Sequence, residues 1–146
     1  MDKTIIVTTP DKSLEGLGSA DMFQASTQNL YLQDMTLQNA LDYYKAGSAG
    51  RAAVLQDSGT RTIGKNIRML SYQDTYYSST ASQQAYWENC DIHGTVDFIC
   101  GGGDVRFQNT TISLEKREIS TDPNKDGKGS STITAPTTTT QFGYVF

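Results

Sequence analysis

Asp74 and Asp97 occupy matching places in two strand-like runs, Ser71-Tyr72-Gln73-Asp74-Thr75 and Gly94-Thr95-Val96-Asp97-Phe98. They lie 23 residues apart (97 − 74 = 23), and Asn66 and Asn89, each eight positions earlier, repeat at the same interval (89 − 66 = 23). A weak repeat with a period of roughly 20 to 25 residues marks a solenoid. It constrains the fold strictly, because residues one period apart in sequence become neighbours on adjacent strands, about 5 Å apart. On this reading the two carboxylates stack. Acids that close cannot ionise independently, so their pKa values separate. Such a pair can hold a carboxylate nucleophile beside a carboxylic acid at one pH.

The period is carried by strands. The runs 29–37, 66–72, 86–92 and 105–114 alternate apolar with polar residues, as strands with one buried face do. No segment offers a sustained helical stripe, and no Asn-Gly hairpin signal separates neighbouring runs. Strands on a solenoid period predict an all-β parallel β-helix, with Asn side chains stacked at its turns and aliphatic side chains stacked inside. Gln38-Asn39, Glu88-Asn89 and Gln108-Asn109 resemble one another, and Asn109 follows Asn89 by 20 residues (109 − 89 = 20). Two stretches break the period and are expected to be loop insertions, 41–50 and the more polar 115–131. Loops of this kind often shape a binding groove.

Composition narrows the partners. The 146 residues form one domain, 1–146, with 36% hydrophobic residues, 19% charged residues and a formal net charge of −4. No Lys/Arg stripe occurs, which argues against nucleic acid, although a local basic groove could still take a polyanion. No stretch approaches a transmembrane helix, so no membrane partner is expected. The N-terminus, Met1 to Val7, is too polar and too short for a signal peptide. Cys90 and Cys100 lack metal spacing and read as two buried thiols rather than a disulfide.

Other motifs read more plainly as structure. His93 is the single histidine, in strand sequence beside Gly94, which disfavours a Ser-His-Asp triad or a two-His metal site. Gly101-Gly102-Gly103-Asp104 lacks the Lys-Ser/Thr ending of a phosphate cradle and predicts a tight turn. Asp122 to Gly127 matches half a calcium loop, but its twelfth position is Ile133 and the bidentate acid is absent, so no metal is expected. Tyr72-Gln73 places amide donors beside Asp74, suited to an oxyanion. Tyr76 and Tyr77 are candidates for stacking on sugar rings; Trp87 reads as a packing residue.

Taken together, Tyr72-Gln73-Asp74-Thr75-Tyr76-Tyr77 and Gly94-Thr95-Val96-Asp97-Phe98-Ile99-Cys100-Gly101 resemble the two central signatures of pectin methylesterases. Val105-Arg106-Phe107-Gln108-Asn109 and Leu37-Gln38-Asn39 extend the resemblance, which runs from about Gln28 to Ala135. It implies a right-handed parallel β-helix acting on methyl-esterified pectin in a secreted or periplasmic setting, without metal or organic cofactor. By the same resemblance Asp97 is the nucleophile on the methyl-ester carbonyl of galacturonate, Asp74 the acid and then the base, and Gln73 an oxyanion donor. Arg51, Tyr76, Tyr77 and Phe98 are expected to contact substrate.

The sequence departs from the family in two places. Arg51, in Arg51-Ala52-Ala53-Val54-Leu55, stands where the family has a second glutamine. The arginine of a downstream Leu-Gly-Arg-Pro-Trp motif, which pairs with the nucleophile, is not written before Phe146. The expectation is therefore a domain truncated at both ends, weak or inactive alone and open to end-to-end association. The rival readings are a pectate lyase or polygalacturonase on the same fold, and a non-catalytic polysaccharide-binding solenoid.

Overall fold

The computed structural model describes residues 4–8, 21–43, 51–81, 83–116, 131–139 and 141–146. Thirteen strands lie among them: β1 (Thr4–Thr8), β2 (Phe23–Ala25), β3 (Asn29–Asn39), β4 (Leu55–Asp57), β5 (Arg61–Leu70), β6 (Tyr76–Ser78), β7 (Gln84–Glu88), β8 (Asp91–Gly94), β9 (Val96–Gly101), β10 (Asp104–Gln108), β11 (Thr111–Leu114), β12 (Thr132–Pro136) and β13 (Tyr144–Val145). Every pairing between them is parallel, and partners belong to successive coils.

The coil has three faces. Face one stacks the first halves of β3 and β5 on β7, β10 and β13. Face two stacks β1, the second halves of β3 and β5, β8 and β11. Face three stacks β2, β4, β6, β9 and β12. Parallel register lines up like side chains inside: Leu37, Met69, Ile92 and Ile112 on face two, and Leu55, Tyr76 and Ile99 on face three. Burying each large apolar side chain contributes about 1.5–3 kcal/mol.

The corner between faces one and two is one residue in the left-handed conformation, repeated in each coil: Asp34 (φ 54°), Asn66 (54°), Asn89 (54°) and Asn109 (50°). Asn and Asp are the non-glycine residues that take this conformation most readily. Asn66 Nδ2 donates to Asp34 Oδ1 at 2.6 Å, joining two rungs of the ladder. The expected member Asn39 is not a rung. It is buried at the end of β3, where Nδ2 donates to Ala53 O at 3.1 Å and Oδ1 accepts from Leu41 N at 3.2 Å. Asp34 takes the place in the ladder.

The coil from Asn89 to Asn109 is three residues shorter than the one before it (23 − 20 = 3), and the corner between faces three and one accounts for the difference. Ser78 pairs with Gly101 while Gln84 pairs with Asp104, so six residue steps (84 − 78) shrink to three (104 − 101). Gly101 makes this tight turn at φ 107°, and a Cβ there would stand 2.0 Å from Ser78 O. The expected excursions lie between faces two and three, leaving after β3 and β11 and rejoining at Arg51 and Thr132. Residues 44–50 and 117–130, including the half calcium loop at 122–127, lie outside the described residues.

Candidate active site

At the corner between faces two and three, Arg51 pairs with Gln73 and Gln73 with Val96, both in parallel register. Asp74 and Asp97 follow their partners by one residue and so stack on adjacent coils, about 5 Å apart between strands. Both are left-handed, at φ 58° and φ 51°. Backbone bonds tie the corner together: Asp74 N to Val96 O at 3.2 Å, Thr95 N to Tyr72 O at 2.6 Å, and Ala52 N to Gln73 O at 3.3 Å. Beneath it, Thr75 Oγ1 donates to His93 O at 2.7 Å and Ser71 Oγ to Ala52 O at 2.7 Å.

The pair opens into a cleft of about 270 Å³ lined by Arg51, Gln73, Tyr77, Cys100, Gly101, Ala135 and Thr137 as well as the two aspartates. Five of the seven sequence-predicted residues therefore meet at one place: Asp74, Asp97, Gln73, Arg51 and Tyr77. The other two do not reach it. Tyr76 is fully buried, edge-on to Trp87 at 5.2 Å and to Phe107 at 6.3 Å between ring centroids. Phe98 is also fully buried and belongs to the same core. Neither can stack on a sugar ring. Trp87 is a core residue, as its strand position suggested.

Two groups that act on the site escaped sequence reasoning, Cys100 in the cleft lining and Asp21 through its charge. Cys100 follows Tyr77 in the outward row Gln56, Tyr77, Cys100, Ala135, and that register was the signal that could have found it. Burial and then the charges of Asp74, Asp97 and Asp21 push its thiol far up, so it stays protonated. Cys90 and Cys100 are both buried free thiols. Asp21 is the second group, a third carboxylate acting on Asp74 from far along the chain.

Burial first, and then the negative charge of Asp97, pushes the Asp74 carboxyl up to about 7, with Arg51 pulling it down and Asp21 adding to the rise. Asp74 is thus largely protonated below neutral pH. A carboxyl whose folded pKa lies above its unfolded value costs stability as pH rises between the two. Asp74→Asn is therefore expected to match the parent near pH 4 and exceed it by about 2 kcal/mol or more at pH 9. Urea denaturation at the two pH values measures this, and an equal difference at both would refute the raised pKa.

His93, expected to be structural, sits on face two with Nε2 3.0 Å from Asp91 Oδ2 and Nδ1 2.5 Å from Glu115 Oε1. Burial opposes its charge, but the hydrogen bonds to Glu115 and Asp91 outweigh it and raise its pKa.

Fold and site together define a parallel β-helix protein with a coupled acid pair in a surface cleft. The family profile described as Pectinesterase matches residues 1–141. Pectinesterase 2 of Citrus sinensis is 36% identical over 120 residues, which cover 78% of this chain and 21% of that protein. Probable pectinesterase/pectinesterase inhibitor 44 of Arabidopsis thaliana is 36% identical over 97 residues, 66% of this chain and 17% of that protein. The chain belongs to the pectinesterase family.

Solved structures agree on the fold. A pectin methylesterase in complex with a hexasaccharide superposes with a TM-score of 0.75 at 22% identity, covering 97% of this chain and 45% of that one. Pectin methylesterase PemA from Erwinia chrysanthemi gives 0.73 at 23% identity, covering 92% and 43%. The fold is the right-handed parallel β-helix that the resemblance implied. This chain spans less than half the length of those structures and about a fifth of the Citrus relative.

Proposed function

We propose that the cleft hydrolyses methyl esters of galacturonate units in pectin. The observation that carries this is a buried Asp74 with its pKa raised to about 7, stacked on Asp97 in an open cleft. A protonated Asp74 stacked on a second carboxyl group, Asp97, is the pairing of acid and nucleophile that two-step ester cleavage needs. An Asp97 carboxylate oxygen attacks the ester carbonyl carbon, and the negative charge moves to the carbonyl oxygen, where the Gln73 amide donates a hydrogen bond. As the tetrahedral centre collapses, its bond to the methoxy oxygen breaks and Asp74 gives that oxygen its proton, releasing methanol. The acyl group is left on Asp97 as a mixed anhydride. Asp74, now a carboxylate, takes a proton from water, whose oxygen attacks the acyl carbon. Expulsion of the Asp97 carboxylate then regenerates the pair and leaves a galacturonic acid, which loses its proton to solvent to give galacturonate.

Arg51 is the cation of the cleft, and its charge favours the ionised form of Asp74. We assign it to positioning the anionic product or the oxyanion. Arg51→Gln is expected to lower kcat/KM by about tenfold to a hundredfold and to move the pH dependence upward as Asp74 becomes harder to ionise. An unchanged pH profile would remove Arg51 from this role.

The reaction itself is tested by incubating the chain with highly methylated pectin. Methanol release without chain shortening and without unsaturated product supports the esterase reading over a lyase or glycosidase. Release of unsaturated or shortened chains, or binding of pectin with no methanol at any enzyme concentration, overturns it. Because pectin is a wall polymer, this function fits a secreted or periplasmic protein.

A further inference from the structure

Away from the acid pair, the outer surface of face one is a flat ladder. Strand alternation turns every second residue outward, and parallel register sets these residues in rows across the strands. Tyr31, Ile63, Tyr86, Arg106 and Val145 form one row, and Asn29, Arg61, Gln84 and Asp104 the row beside it. The apolar members face solvent, with Tyr31 59%, Ile63 48% and Val145 55% exposed. A groove of about 280 Å³ runs along the rows, lined by Arg61, Ile63, Gln84, Tyr86 and Arg106 among others. It shares no lining residue with the cleft of the acid pair.

We propose that face one is a second, non-catalytic binding surface for an acidic polysaccharide chain lying across its strands. The row repeats every ~4.8 Å, close to the length of one 1,4-linked pyranose, so successive rings meet successive rungs. The Tyr31 and Tyr86 rings and the Ile63 side chain offer apolar surface to the C–H faces of the sugars. Arg61 and Arg106 stand two strands and two residues apart, about 12 Å, so a chain running obliquely across the strands can set carboxylates two sugars apart against the two guanidinium groups, which are best shaped to hold a carboxylate. Arg61 Nε donates to Asn29 Oδ1 at 2.8 Å and Arg106 Nη2 to Gln108 Oε1 at 3.3 Å, which holds both heads at the surface.

Charge favours the same ligand. In a chain of net charge −4, the groove sets two arginines against Asp104 alone, while the neighbouring Lys65 already pairs with Glu88 at 3.4 Å. Local cationic character on an acidic protein selects an anion. A protein partner fits less well. The apolar row is one side chain wide and bordered on both sides by polar rows, whereas a stable interface needs about 800 Å² per partner.

The proposal takes its polymer class from the proposed function but none of its chemistry, and a de-esterified galacturonate hexamer tests it without turnover. Calorimetric titration at low salt is expected to show binding to the parent chain that weakens about tenfold in Arg61→Gln/Arg106→Gln and in Tyr86→Ala. A neutral cellohexaose should bind the parent about tenfold more weakly. Thermal melting checks that the variants fold, and methanol release should not change in them. Binding within about twofold of the parent in both variants, or equal binding of the neutral hexamer, overturns the proposal. So does a dimer seen by sedimentation that Tyr86→Ala abolishes while no hexamer binds, since the strip would then serve a second copy of the chain.

Discussion

Asp97→Ala is expected to reduce whatever methanol release the chain supports on methylated pectin to the uncatalysed background, because it removes the atom that would form the covalent intermediate. Asp74→Asn is expected to lose less, roughly 10²- to 10⁴-fold, since it removes proton transfer but leaves the nucleophile. The two variants also separate by titration. Asp97 raises the pKa of Asp74 by like-charge repulsion, second only to burial. In Asp97→Ala the Asp74 carboxyl should therefore titrate below its parent value of about 7, yet stay above an ordinary carboxylate because burial remains. Carbon-detected NMR of the carboxyl resonances reads this directly. An Asp74 pKa that does not move would mean the pair is not coupled, and a turnover indifferent to Asp97 would end the esterase mechanism.

A large loss of stability is expected from a single methyl group beside the acid pair. Gly94 ends β8 three residues before Asp97, and a Cβ there would lie 2.2 Å from Phe98 Cβ, 2.3 Å from Phe98 Cγ and 2.7 Å from Tyr72 O. Phe98 is fully buried, and Tyr72 O already accepts from Thr95 N at 2.6 Å, so neither neighbour can give way cheaply. Gly94→Ala should cost about 3 kcal/mol or more and lower the denaturation midpoint accordingly. Turnover should fall as well, since the displaced Phe98 is bonded to Asp97. Gly143→Ala is the control, with nothing within 4 Å of its added carbon. Equal midpoints for the two variants would show that the corner is looser than its contacts imply.

The coil, its strands and the acid pair were legible because a solenoid writes spatial neighbours into a fixed sequence interval. What was misread has a common physical origin in the left-handed residues. After Asp74, Thr75 and Tyr76 are both fully buried, and after Asp97 so are Phe98 and Ile99. The bend resets strand alternation, so the aromatics that follow the paired aspartates, Tyr76 and Phe98, point inward instead of flanking the cleft. Only Tyr77, one step later, faces the cleft. Gln38-Asn39 resembles Gln108-Asn109 in sequence, yet the rung is Asp34, whose φ of 54° matches its Asn neighbours. Conformation, not residue name, defines the ladder. Cys100 reads in sequence only as a buried thiol, and it is the register of the coils that sets it beside Tyr77 in the cleft.

The left-handed residues also set a measure. From Asn66 to Asp74 and from Asn89 to Asp97 the count is the same (74 − 66 = 97 − 89 = 8), while the corner between faces three and one shortens by three residues between those coils. Face two works as a calibrated spacer between two hinges of one residue each, and variation in chain length is absorbed elsewhere in the turn. Within 67–73 a one-residue deletion would rotate a carboxylate out of phase with its neighbour, whereas loops grafted at the other corners would leave the acid pair aligned. In these two coils the chain thus separates the part that must keep length from the corner free to diversify.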